Sequence, residues 1–114
     1  MDEATAPIQV VQAFSDAFNA RDVNAFVALL AEDVVHEDDA KPTMRGKAEV
    51  YKSYQVAFTR DTEQHSLLIA RMALGSYVID QEYVTGRPVG PFKTMVLYRV
   101  ENDKINYMRI LREK

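Results

Sequence analysis

The 114-residue chain has no cysteine, which excludes disulfides, thiolate metal sites and a cysteine nucleophile. Only two histidines are present, His36 and His65, and neither sits in a His-Glu-x-x-His or comparable ligand spacing. No metal and no cofactor is expected. Basic residues are the minority, 14 against 17 acidic ones for a net charge of −3. That balance lacks the cationic face that binding a phosphate backbone requires, so nucleic acid is not an expected partner. No apolar run approaches the ~18 residues of a membrane span, and nothing reads as a signal peptide. The expectation is a cytoplasmic protein with no membrane partner. The four glycines form no phosphate-cradling loop, and Ser15, Ser53, Ser66 and Ser76 lack an elbow motif around them. What is present, 47% hydrophobic and 27% charged residues, is the composition of a single globular domain over residues 1–114, large enough to bury a core without staples.

Patterning along the chain supplies the elements. The acidic start, Met1-Asp2-Glu3-Ala4-Thr5, leads directly into helical spacing: Ile8, Val11, Phe14, Ala17 and Phe18 recur at intervals of three and four. Pro7 suits the first turn of such a helix. Asn19-Ala20-Arg21 ends it, and Asp22 is placed to cap a second helix through Val23, Phe26, Val27 and Leu30, ending near Ala31. Asp33 to Asp38 reads as a strand that turns abruptly polar. Ala40 to Gly46, containing Pro42, reads as a loop. Helical spacing returns from Lys47 to Thr59. Four strand-like runs then follow: His65 to Leu74, Tyr77 to Thr85, Phe92 to Glu101 and Lys104 to Leu111. They are separated by Gly75-Ser76, the Gly86 to Pro91 segment and Asn102-Asp103, all turn chemistry. The order is ααβαββββ, an α+β arrangement in which a curved antiparallel sheet wraps around helices and leaves a cavity between them.

The run from Phe18 to Asp38 closely resembles the first two helices and first strand of the NTF2-like superfamily, in particular its SnoaL-like and ketosteroid isomerase-like branch. Gly46-Lys47-Ala48-Glu49, Asp80 to Gly86 and Tyr98 to Ile105 agree with it. The resemblance spans nearly the whole chain and implies a cone-shaped barrel with an internal pocket and a two-fold dimer. Fold alone does not assign a reaction, since this one also carries cyclases, epoxide hydrolases, dehydratases and non-catalytic modules.

In ketosteroid isomerases an aspartate at the end of the first strand moves a proton between substrate carbons, and Asp38 matches that position. Strand alternation puts His36 on the face of Asp38 and turns Glu37 away, so His36 and Asp38 form the expected catalytic pair. The same residues also fit a solvated strand end. The isomerase's oxyanion donors, a tyrosine and a protonated aspartic acid, fall here on Phe14 and on Met95 or Val96, none of which can donate. Tyr54 and Tyr98 are the candidate replacement donors.

Asp80 and Glu82 share a strand face. They read either as pocket acids, with an epoxide-hydrolase-like water activation as one use, or as a charged face answering Arg71 or Arg99 across the sheet. Arg112, at the end of the last strand, is a further cation whose face the spacing leaves open. Phe14, Phe18, Tyr54 and Phe58 on helices, with Val96, Tyr98 and Met108 on strands, are the expected apolar walls of a small-molecule pocket. The expected ligand is a small, mostly apolar carbonyl compound. The alternative is a non-catalytic binding or dimerisation module, with Ile79, Tyr83 and Ile105 or Tyr107 on the outer sheet surface.

Overall fold

The structure, a computed structural model, describes residues 5–113; the first four residues, with their acidic pair, lie outside the described residues. Helix α1 (Thr5–Ala20) and α2 (Val23–Ala28) precede strands β1 (Leu30–Asp38) and β2 (Lys41–Arg45). Helix α3 (Lys47–Arg60) follows, and then the meander β3 (His65–Leu74), β4 (Tyr77–Thr85), β5 (Phe92–Glu101) and β6 (Lys104–Arg112). The six strands form one sheet in the order β2-β1-β6-β5-β4-β3. Helices cover its concave face. The core they share contains Val11, Phe14, Phe26, Val34, Val50, Val78 and Ile105, each at most 2% exposed.

Local chemistry accounts for the boundaries. Arg21 adopts a left-handed backbone (φ 54°) that breaks α1 from α2. The Asp22 carboxylate then accepts the Ala25 N–H at 3.1 Å, the expected N-cap. Helix α2 is shorter than the spacing suggests, because Leu30 has already joined the sheet opposite Ile105. Asn102 and Asp103, both at positive φ, make the tight turn between β5 and β6.

Three expectations are corrected. The Ala40–Gly46 segment is not a loop: Lys41–Arg45 pairs with β1, giving the order ααββαββββ. Pro42 is tolerated there because β2 is an edge strand, where a missing N–H breaks no ladder. The sheet is mixed rather than wholly antiparallel, since β6 closes the meander alongside β1 in parallel. Ile105 does not belong to the outer surface. A register shift between Arg99 and Val100 leaves Asn106 unpaired in the ladder and turns Ile105 into the core.

Two contacts tie the far end of the meander to the helices. Asn19, at the end of α1, both donates to the Ser66 carbonyl (2.9 Å) and accepts the Ser66 N–H (2.8 Å). Gly86, after β4, packs on the backbone of Glu63 and Gln64 with φ +83°, so closely that a Cβ would collide with the Glu63 carbonyl. We expect Gly86→Ala to lower stability by at least ~1–3 kcal/mol, the cost of a strained backbone position, before the collision is counted. Thermal unfolding of the variant measures it. Gly75→Ala, at φ +58° with nothing within 4 Å, isolates the effect of the backbone angle.

Candidate functional site

The cavity between the sheet and the helices is placed by strand register. Across the concave face, Asp38 on β1 pairs with Ile110 on β6, Ile110 with Val96 on β5, and Val96 with Asp80 on β4. Beside that row run Glu82, Thr94 and Arg112 in one line, and Tyr98, Met108 and His36 in another. These rows and the inner faces of α1 and α3 enclose a cavity of about 110 Å³, several times the ~10–15 Å³ that one water needs.

Of the residues singled out in the sequence, Phe14, Phe18, His36, Asp38, Tyr54, Glu82, Val96, Tyr98 and Met108 all line this cavity. Phe58 and Asp80 do not. Phe58 lies behind the wall, edge-on to Phe18 and Phe26 with both ring centroids 5.5 Å away. Phe26 takes the lining position instead. Asp80 is fully buried and bound on both oxygens by Arg71, at 2.6 and 2.9 Å, while Arg71 also reaches Gln12 of α1. That is the cross-strand pairing with Arg71, buried under the first helix.

Arg112 settles on the cavity side, because it lies two residues beyond Ile110, the β6 partner of Asp38. Its Nε donates to Asp38 Oδ1 and its Nη2 to Oδ2, both at 2.7 Å. The Ala40 N–H adds a bond to Oδ1 at 2.9 Å. Burial opposes the charge on Asp38, but Arg112 and the Ala40 N–H outweigh it and hold the carboxyl below its ordinary range. Asp38 is buried while Arg112 is a quarter exposed, so removing either partner costs less than the ~3–5 kcal/mol of a fully buried pair. Asp38 is therefore an ionised carboxylate with Oδ1 filled and one lone pair of Oδ2 left over.

Glu82 is in the opposite state. Burial pushes its carboxyl up, and Asp80 adds to the rise, while one hydrogen bond from the Ser66 hydroxyl (2.7 Å) only partly offsets it. One cavity thus holds two carboxyls driven apart, one toward permanent charge and one toward neutrality.

His36 does not touch Asp38 through a hydrogen bond. Its Nε2 lies 2.7 Å from the Tyr54 hydroxyl, and burial lowers its pKa so that the ring is neutral. Its Nδ1 is buried without a partner among the described residues. An orphaned lone pair is better tolerated than an orphaned N–H, a condition that the tautomer with its hydrogen on Nε2 meets. In that tautomer His36 donates to Tyr54 and leaves the Tyr54 O–H free to donate in turn. Burial raises the pKa of both Tyr54 and Tyr98, so both stay protonated. The Tyr98 hydroxyl makes no hydrogen bond to a described residue. Phe14 stacks on Phe26 at 3.9 Å and meets Tyr98 edge-on at 5.8 Å, forming an apolar floor.

Sequence reading does not single out Lys41, Arg60, Arg87, Phe92 or Thr94, which also line the cavity. No motif marks them: Lys41 comes from the edge strand β2, Arg60 from the end of α3, Arg87 from the β4–β5 turn, and Phe92 and Thr94 from β5. Among the described residues no group of three or more His, Asp or Glu side chains is placed to hold a metal ion. No helix among them is long and apolar enough to cross a membrane.

Comparison with known proteins fits this geometry. The profile of the SnoaL-like domain family matches residues 11–108. The chain belongs to that family. With it comes membership of the NTF2-like superfamily and its α+β cone. Similar solved structures include an uncharacterised cystatin-fold protein from Novosphingobium aromaticivorans, at 25% identity and TM-score 0.86, covering 93% of this chain and 97% of that one. A candidate ketosteroid isomerase from Kribbella flavida has 18% identity and TM-score 0.87, over 98% and 81% of the two chains. An LEH-like epoxide hydrolase from M. tuberculosis has 20% identity and TM-score 0.83, over 98% and 86%. At these identities the last two share the fold. No curated protein matches the chain.

The raised Glu82 pKa has a signed consequence. A carboxyl whose folded pKa exceeds its unfolded value of 4.5 holds more protons in the folded state, so its contribution to stability is lost as pH rises through that window. Glu82→Gln is uncharged at every pH. Its melting temperature, relative to wild type, is expected to climb from pH 4 to pH 8; a constant difference across that range would contradict the buried-carboxyl assignment.

Proposed function

We propose that this SnoaL-like protein is a proton-transfer enzyme of the ketosteroid isomerase-like kind, acting on a small, mostly apolar carbonyl compound. The observation that supports it is the company of Asp38: an ionised carboxylate with one open lone pair, in the same apolar cavity as two protonated phenols. In this reading Asp38 Oδ2 takes a proton from the carbon beside the carbonyl. The C–H electron pair moves into the carbonyl as an enolate, and return of the proton to another carbon completes an isomerisation. A carboxylate held at low pKa is a weak base, so the C–H must be acidified by polarising the carbonyl. Tyr54 and Tyr98 are the donors for that oxygen, in place of the groups missing at Phe14 and Val96. His36 is a positioning residue, orienting Tyr54.

The test is exchange of acidic carbon-bound protons in D2O across a panel of enones and 1,3-dicarbonyl compounds, followed by proton NMR. Asp38→Asn is expected to lose at least ~100-fold in rate while still binding the same compounds. Tyr54→Phe and Tyr98→Phe are each expected to lose roughly 10²-fold or more in kcat if they are donors to the oxyanion. Exchange undiminished in Asp38→Asn would sink the reading. Binding without exchange in any variant would leave the non-catalytic module. A second reading, water activation on an epoxide, is favoured by the Asp38–Arg112 pair with Glu82 in the same cavity; epoxide turnover with no carbon-proton exchange would select it.

We also propose that a second copy covers the convex sheet surface. There Met72, Ile79 and Leu97 form one cross-strand row, and Met95 and Leu111 adjoin in the next. Met72 is 66% exposed and Leu74 81%, an apolar exposure typical of an interface. Light scattering after size exclusion is expected to give a dimer, and Met72→Glu with Met95→Glu a monomer.

A further inference from the structure

The mouth of the cavity carries a charge imbalance that the proton transfer does not use. Four cations line it from four separate elements: Lys41 at the start of β2, Arg60 at the end of α3, Arg87 in the β4–β5 connection and Arg112 at the end of β6. Two of the four are neutralised. Arg112 is paired with Asp38. Arg60 is paired with Asp61, which it meets at 3.0 Å.

The other two have no carboxylate of their own. Lys41 forms no ion pair with a described residue. Arg87 comes no nearer than 3.8 Å to the Asp61 carboxylate that Arg60 already holds. Its Nε is buried with no hydrogen-bond partner among the described residues, although a buried guanidinium N–H ordinarily has one. Gly86, packed on the Glu63–Gln64 backbone, precedes this arginine in the chain. Phe92 supports it from the other side, with the Arg87 and Arg112 guanidinium carbons 5.8 and 5.5 Å from its ring centroid. The like charges are felt: burial and the cations Arg87, Arg112 and Arg60 lower the Lys41 pKa despite the pull of Asp38. A chain of net charge −3 thus concentrates surplus positive charge at one opening.

We propose that the mouth binds a carboxylate, so that the substrate is an apolar body carrying an acid group, its hydrocarbon end among Phe14, Phe26 and Met108 and its carboxylate between Arg87 and Lys41. A planar guanidinium with an open Nε suits a carboxylate's two oxygens. The inference rests on the proposed function for the identity of the pocket and adds the substrate's charge. It also explains why the mouth cations survive in an acidic protein: they raise the local concentration of an anion that the rest of the surface repels.

The test is binding alone. Matched pairs of arylalkanoic or arylacrylic acids and their primary amides, such as cinnamate and cinnamamide, are titrated calorimetrically into the wild-type protein. The acids are expected to bind about tenfold tighter than the amides at low salt, with the preference shrinking as salt is raised. Arg87→Gln is expected to bring the acid-to-amide ratio close to one. Lys41→Gln, at an exposed residue with no ion pair to a described residue, reduces the ratio without endangering the fold. Equal affinity for acids and amides in wild type overturns the inference while leaving the pocket intact. An acid preference unmoved by either variant overturns it too. An acid preference that both variants abolish, in a protein whose Asp38→Asn variant still exchanges protons, supports the anion site and removes the proposed base, so the two claims fail separately.

Discussion

The bidentate contact between Asp38 and Arg112 joins residues 74 positions apart and closes the one parallel seam of the sheet. Strand β1 leaves the helices early in the chain, and β6 is its last strand. Only the register that sets Asp38 opposite Ile110 brings Arg112 within reach. With the pair formed, β2 can fold back along β1, because the turn at Ala40 is fixed by its N–H bond to the same carboxylate. The polar end of the cavity is thereby assembled from the first and last strands, while the meander supplies its wall. Burial of Asp38 makes the pair costly to break.

Much of this architecture is written locally and can be read locally. The bounds of β3, β4 and β5 follow from Gly75-Ser76, Gly86 to Pro91 and Asn102-Asp103, since turn residues act through their own backbone angles. The Asp22 cap is equally local. Features that pattern alone does not reveal are set by distant partners. Pro42 is a breaker in isolation, but only an edge position reveals that nothing is broken. Asn106 carries no sign of the bulge that buries Ile105. Asp80 and Glu82 are equivalent by alternation; their fates part because Arg71 and α1 cover one while the cavity and Ser66 receive the other. Alternation also pairs His36 with Asp38 on one strand face, and that shared face is real. The imidazole nonetheless points its hydrogen bond at Tyr54, because α3 brings a phenol closer than the neighbouring carboxylate.

The cavity divides into an aromatic floor and a charged rim, and the division has a simple cause. The helices contribute inward faces rich in Phe14, Phe18, Phe26 and Tyr54, which exclude water. The rim is built from element ends and a connection, where long cationic side chains can lay their stems on apolar surface and keep their heads near solvent. Groups near the floor have pKa values governed by burial. At the rim, Arg60 and Arg112 have theirs raised first by the carboxylates they bind, and Asp38 sits where the two regimes meet.

Strand β3 ends the sheet with an open ladder of backbone donors and acceptors, on a segment whose Leu67, Leu68, Ile69, Met72 and Leu74 are all substantially exposed. Such an edge is a template for runaway strand addition. Two features described for other reasons guard it. The register shift between Leu68 and Ala70 interrupts the ladder midway, and Arg71 turns its charge inward to Asp80 and Gln12. An incoming strand would meet a bent edge and a buried cation in place of a flat apolar rail. The salt bridge that keeps Asp80 out of the cavity therefore also serves as protection against aggregation.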